Sequence, residues 1–97
     1  MAKTRNLCRH KAAWTTIADE ALRIKAYGRH HGGIKRMMSE AAERALEDAE
    51  DDEKKVYRLR YVDGMDARMA STAMYVSEAT YYRILCRLIE RVEKELA

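Results

Sequence analysis

From Glu78 to Leu96 the chain spells one amphipathic helix whose apolar sector is too wide for a helix packed on a single side. At about 100° per residue, with Glu78 at zero, Tyr81, Ile84, Leu85, Leu88, Ile89, Val92 and Leu96 spread from about 240° through zero to about 20°. Tyr82 and Cys86 carry the arc on to about 80°, so the sector approaches 200°, roughly twice the minimum stripe. Two covers fit: the N-terminal helices, by an intrachain contact with Leu7–Tyr27, or a second copy of the chain. Because DNA readers of helical design commonly work on two half-sites, a homodimer through this helix is the expectation. The opposite face carries Arg83, Arg87 and Arg91 at about 140°, 180° and 220°. Ala79 and Thr80 stand at its exposed start.

Ahead of this helix, Ser77 is a good N-cap, its hydroxyl placed to accept from an orphan amide of the first turn. Ala70, Met74 and Val76 have the spacing that packs a short helix and its turn onto the long one, and the Tyr81-Leu85-Leu88-Val92 face packs back. A short helix, a capped turn and a longer helix with a small, then cationic front form the pattern of a helix-turn-helix.

Tyr61-Val62-Asp63-Gly64, Met69-Ala70, Val76-Ser77 and Thr80-Tyr81-Tyr82-Arg83 resemble the C-terminal helix-turn-helix of RinA/ArpU-type phage late-transcription regulators. Those in turn look like region four of bacterial sigma factors. The match covers residues 52 to 92, under half of the chain. It departs at Ala70 and Ser71, which stand where such motifs read a larger aliphatic and an alanine. Loose packing of the short helix, or a shift by one residue, is the expectation there. The resemblance implies a sequence-specific DNA-binding transcription regulator of phage or prophage origin, at work in the cytoplasm of a bacterial host. It would act on a late promoter or touch RNA polymerase.

On that reading residues 78–91 enter the major groove of double-stranded DNA. Ala79 and Thr80 lie close to base edges, and Arg83 and Arg87 are the candidates for guanine O6 and N7. Arg91, Arg68 and some N-terminal cations hold phosphates, with Ser77 setting the start of the helix. The other reading of the arginines is a solvated outer face. Glu78 either faces a cytosine amino group or stabilises the helix N-terminus.

Ninety-seven residues without proline, with only four glycines, predict an all-α domain of about five helices with the helix-turn-helix at its C-terminal end. Residues 1–50 are expected to form a basic helical hairpin and residues 51–97 the sigma region four-like unit, together one compact domain. No phenylalanine is present, so the core must come from Leu, Ile, Val, Met, Tyr and Trp14. No apolar run approaches the ~18 residues of a membrane span, and none reads as a secretory signal. Cys8 and Cys86 are too few and too far apart for a disulfide framework, which points to a reducing interior.

The net charge of +3 hides an uneven distribution. Residues 1–36 hold nine Lys and Arg against Asp19 and Glu20, a balance of +7, while residues 47–55 balance at −4. The basic third either attracts phosphate without sequence preference or forms solvated helix faces behind a frayed start over residues 1–6. The acidic run from Asp48 to Glu53 has three uses: a solvated connection, a negative first turn for the next helix, or a patch for a basic partner. The first-turn use fits best, because Val56, Leu59 and Val62, flanked by Tyr57 and Tyr61, continue a short helix over Asp51–Val62.

In chain order, Leu7–Tyr27 is helical with Trp14, Ile17, Ala18, Ala21, Leu22 and Ile24 as buried candidates, and the glycines of residues 28–33 end it. A second helix over Ile34–Asp48 has Ile34, Met37, Met38, Ala41, Ala45 and Leu46 on one face. Core filling is the commoner use of such a stripe, an adaptable docking surface the rarer one. Asp63-Gly64 closes the third helix, and Met65 or Asp66 opens the fourth.

His30 and His31, with Cys8, His10 or Cys86, invite a metal, but adjacent histidines on a glycine-rich loop lack zinc-site spacing. No P-loop, GxSxG or HExxH is present. No cofactor, no metal and no catalysis are expected. Two other functions compete with the regulator. One is a small terminase subunit, for which 97 residues leave little room for a ring-forming domain. The other is a phage-encoded inhibitor or adaptor of a host protein complex, with the helix-turn-helix as scaffold.

Overall fold

Short side chains decide where the first two helices meet. The computed structural model describes residues 17–28 and 32–97. Helix α1 (Ile17–Tyr27) packs on α2 (Gly33–Asp48), whose buried positions are Ser39, Ala41, Ala42 and Ala45. Such small residues let two helix backbones approach closely. Asp19 and Glu20 in the first turn of α1 and Lys25 in its last complement the helix dipole. Gly28, at φ 70, ends α1 with its amide 3.2 Å from the Ile24 carbonyl, the left-handed stop that the glycine count suggested.

Only part of the expected apolar stripes is buried. Ala18, Ala21, Leu22 and Ile24 are core, but Ile17 is 64% exposed. On α2 the second half of the stripe holds, while Ile34 and Met37 in its opening turns are exposed and Met38 is half-buried. The contact with α1 runs along the alanines instead, and no described residue covers the start of α2. The expected helical residues from Leu7 to Thr16, with Trp14, and the frayed start over residues 1–6 lie outside the described residues, as do Cys8, His10, His30 and His31.

Helix α3 (Asp51–Tyr57) starts where the acidic run predicts, with Asp51, Asp52 and Glu53 in its first turn. Its end differs from the expected regular helix. Residues Arg58–Val62 widen into a π turn, with the Asp63 amide on the Arg58 carbonyl at 2.9 Å and Met65 on Leu59 at 2.9 Å. Changing from 3.6 residues per turn to a wider turn alters which side chains point inward. Val62, expected inside, is exposed, and Tyr61 is turned in toward α1.

Helix α4 (Ala67–Ala73) is capped by Asp66, whose carboxylate accepts from the Met69 amide at 2.8 Å. Ala70 and Ser71 are both buried, and the Ser71 hydroxyl donates to the Arg68 carbonyl at 3.1 Å. The small pair therefore seats α4 against the core, and the loose packing expected there does not occur. Helix α5 (Glu78–Leu96) follows, with Tyr81, Ile84, Leu85, Leu88, Ile89 and Val92 all buried. Helices α1, α2, α3 and α4 each contact it. The arc from Ile84 to Ile89 is thus covered within one chain, α1 included, as the intrachain alternative to a second copy has it, while Tyr82, Cys86 and Leu96 at its edge stay half-buried.

A single core joins residues of all five helices, so both expected halves share it, and the chain is all-α among the described residues. None of these helices is long and apolar enough to cross a membrane.

A polar strut ties α1 to the π turn. Asp19, buried, accepts from the Tyr61 hydroxyl and from Arg23 Nε at 3.0 Å. The guanidinium carbons of Arg60 and Arg23 lie 5.3 and 5.7 Å from the centre of the Tyr61 ring. Burial, reinforced by the bond to Asp19, pushes the Tyr61 hydroxyl well above the usual tyrosine range. Burial raises Tyr57 and Tyr81 as well. A raised folded-state pKa means that stability is intact below the unfolded value of about 10 and is lost as pH climbs beyond it. Tyr61→Phe is expected to cost about 1–3 kcal/mol at neutral pH, the worth of a hydrogen bond to a charged group. It should also make the alkaline decline shallower, which urea melts at roughly pH 8 and pH 11 measure.

Candidate nucleic-acid interface

The turn between α4 and α5 is built by two caps. The Tyr75 amide donates to the Thr72 carbonyl at 3.1 Å and the Val76 amide to Ser71 at 3.0 Å, closing α4. Ser77 then opens α5: its Oγ accepts from the Thr80 amide at 3.1 Å and donates to Thr80 Oγ1 at the same distance. Val76 and Met74, half-buried, pack the turn against the core. These positions are the ones the sequence predicts for a capped turn.

Ala79 and Arg83, four residues apart on one face of α5, are exposed, and Thr80 beside them is half-buried. Arg68, in the first turn of α4, is exposed too. Neither Arg68 nor Arg83 forms an ion pair with a described residue. The front of α5 thus offers small side chains, hydroxyls and one open guanidinium.

Further along, the expected cationic ridge is already occupied. Arg87 Nη2 lies 2.9 Å from Asp52 Oδ2, with Glu53 Oε2 at 3.6 Å and Glu50 Oε1 at 4.0 Å from the same guanidinium. Arg91 Nε donates to Glu53 Oε1, and its Nη2 is 3.5 Å from Oε2. The hydrogen bond to Glu53 holds the Arg91 guanidinium above its ordinary pKa. Glu53 itself is 0% exposed. The basic partner that the acidic run suits is therefore the chain's own last helix. Arg83, Arg87 and Arg91 form a row in which, among the described residues, the second and third have acidic partners and the first has none.

Glu50, Asp52 and Glu53 bring carboxylate oxygens within 4.8 Å of one another, a grouping that suits a cation. Here the charges of Arg87 and Arg91 fill that role. Of the cysteines and histidines considered as metal ligands, only Cys86 is among the described residues; it is half-buried on α5.

Glu53 was missed as an interior residue, although the signal existed. Glu53 and Val56, three residues apart on one face of α3, are both fully buried, so the acid lies on the apolar side of its helix. Asp19 and Arg23 have i, i+4 spacing, the commonest arrangement of a helical ion pair. The left-handed conformation of Tyr75 had no sequence signal, because a tyrosine does not advertise one.

No family model, curated protein or solved structure matches this chain.

Proposed function

We propose that this protein is a sequence-specific DNA-binding transcription regulator of phage or prophage type, with the N-terminal end of α5 in the major groove. The observation that carries this is the capped start of α5, where exposed Ala79 and Arg83 share a face and Arg83 is open. Small residues at the front allow close approach to base edges, and a guanidinium one turn on has the geometry for guanine O6 and N7. Arg68 on α4 is the phosphate contact that would fix the register, joined by cations of residues 1–36. Selection from a random duplex library is the test: a common site should emerge within a few rounds, and a pool without consensus would refute sequence-specific readout.

Arg87 and Arg91 enter this reading differently from Arg83. Acids of α3 already neutralise them, so they contribute to DNA binding only as far as phosphate competes with those acids. Glu50→Gln with Asp52→Asn leaves buried Glu53 in place and should release Arg87 toward the duplex. Affinity is expected to rise several-fold, with the slope of log K against log salt steepening by about 1. Fluorescence anisotropy across a salt series measures both.

A second reading, a protein-binding adaptor with the same helices as scaffold, has one observation in its favour. Tyr27, Ile34 and Met37, at the C-terminal end of α1 and in the opening turns of α2, are exposed apolar side chains. A small terminase subunit would share the DNA contacts but form rings, which mass measurement in solution distinguishes.

A further inference from the structure

Tyr75 sits at φ 60, the left-handed region that glycine enters freely and tyrosine rarely does. It is the only non-glycine residue with positive φ among the described residues. The position demands that conformation, because the two hydrogen bonds that close α4 run through the amides of Tyr75 and Val76. Glycine or asparagine would make the same bonds with less crowding at Cβ. The ring gains nothing from the protein in return, since Tyr75 is 95% exposed. The backbone thus holds an aromatic side chain in solvent, two residues ahead of the cap of α5. Strain kept at such a point is characteristic of contact sites.

We infer that Tyr75 is a further DNA-contact residue. Its ring packs on the sugar and base-edge carbons at the rim of the groove that takes the start of α5. The inference rests on the DNA reading above. Duplex is favoured as the occupant because the exposed cations Arg68 and Arg83 flank the turn on α4 and α5. Of the carboxylates nearest in sequence, Asp66 is engaged in capping α4 and Glu78 lies in the first turn of α5. An aromatic ring adds a contact without adding charge, so its signature differs from that of an arginine.

The experiment compares Tyr75→Gly, Tyr75→Asn and Tyr75→Phe with Arg83→Ala on a labelled duplex selected by the wild-type protein. Tyr75→Gly and Tyr75→Asn should melt at or above the wild-type temperature and yet bind about tenfold more weakly, a loss of about 1.4 kcal/mol. Their salt slope should be unchanged, because the ring neutralises no phosphate. Tyr75→Phe should retain affinity. If Tyr75→Gly binds like wild type while Arg83→Ala does not, the role of Tyr75 is overturned and the DNA reading stands. Lower melting temperatures in both the glycine and asparagine variants would remove the strain on which the inference is built. If the wild-type protein selects no duplex, both fall together.

Discussion

Arg83→Ala is expected to weaken specific DNA binding by about 1–3 kcal/mol, up to two orders of magnitude in Kd, while leaving the melting temperature within a degree or two of wild type. Arg83 is exposed, shares no ion pair with a described residue, and lies on the face of α5 turned away from Leu85, Leu88 and Ile89. Removing it therefore exposes no core and leaves no buried partner behind. The effect should concentrate on particular base pairs: a base-reading guanidinium, when lost, relaxes discrimination at its own position and leaves the others intact. Uniform weakening across all sequences would make Arg83 a phosphate contact instead. Unchanged binding would remove it from the interface.

The larger effect on stability is expected one and two turns further along. Arg87→Met combined with Arg91→Met strips both cations from Glu53, which is fully buried. A buried carboxylate left without a partner is costly, and for a domain of this size the melting temperature should fall by on the order of 15 °C. Adding Glu53→Leu to that pair should restore much of the loss, because apolar groups of similar volume replace a buried ion pair at little cost. Thermal melts of the single, double and triple variants measure the coupling directly. If the double variant melts like wild type, the ion pairs are ornamental. On a solvated outer face Arg83 and Arg87 would both be neutral to the fold; the ion pairs of Arg87 with Asp52 and Glu53 separate them.

That separation shows where the sequence is legible. Helix boundaries could be read because capping chemistry is local: Asp66, Ser77 and Gly28 each act within a few residues of themselves. The buried arc of α5 could be read because periodicity fixes a face whatever covers it. What covers it could not, since that depends on residues far away in the chain, such as Val56 and Leu22. The same distance hid the pairing of Glu53 with Arg91 and of Asp19 with Tyr61. A charge on a helix reads as solvated until its partner is found on another helix. Ile34 and Met37 failed for the opposite reason: periodicity marks an apolar face but does not say where along its length packing stops.

The candidate interface divides along similar lines. The start of α5, from Ser77 to Arg83, is local structure and appears as expected. Its rear, Arg87 and Arg91, is governed by α3 and is mostly spoken for. The consequence for the proposed function is a shorter basic edge than the sequence suggests, with Arg68 and Arg83 at the front, while Arg23, Lys25 and Arg36 are paired with Asp19, Glu43 and Glu40.

The most direct test of the central claim is the titration of a labelled duplex carrying the selected site with the full chain at several salt concentrations, beside its Arg83→Ala and Arg68→Ala variants. A chain that offers the start of α5 to DNA should bind with log K falling linearly as log salt rises, and both variants should bind more weakly. Binding that is absent at low salt, or that both variants match at every concentration, would contradict it.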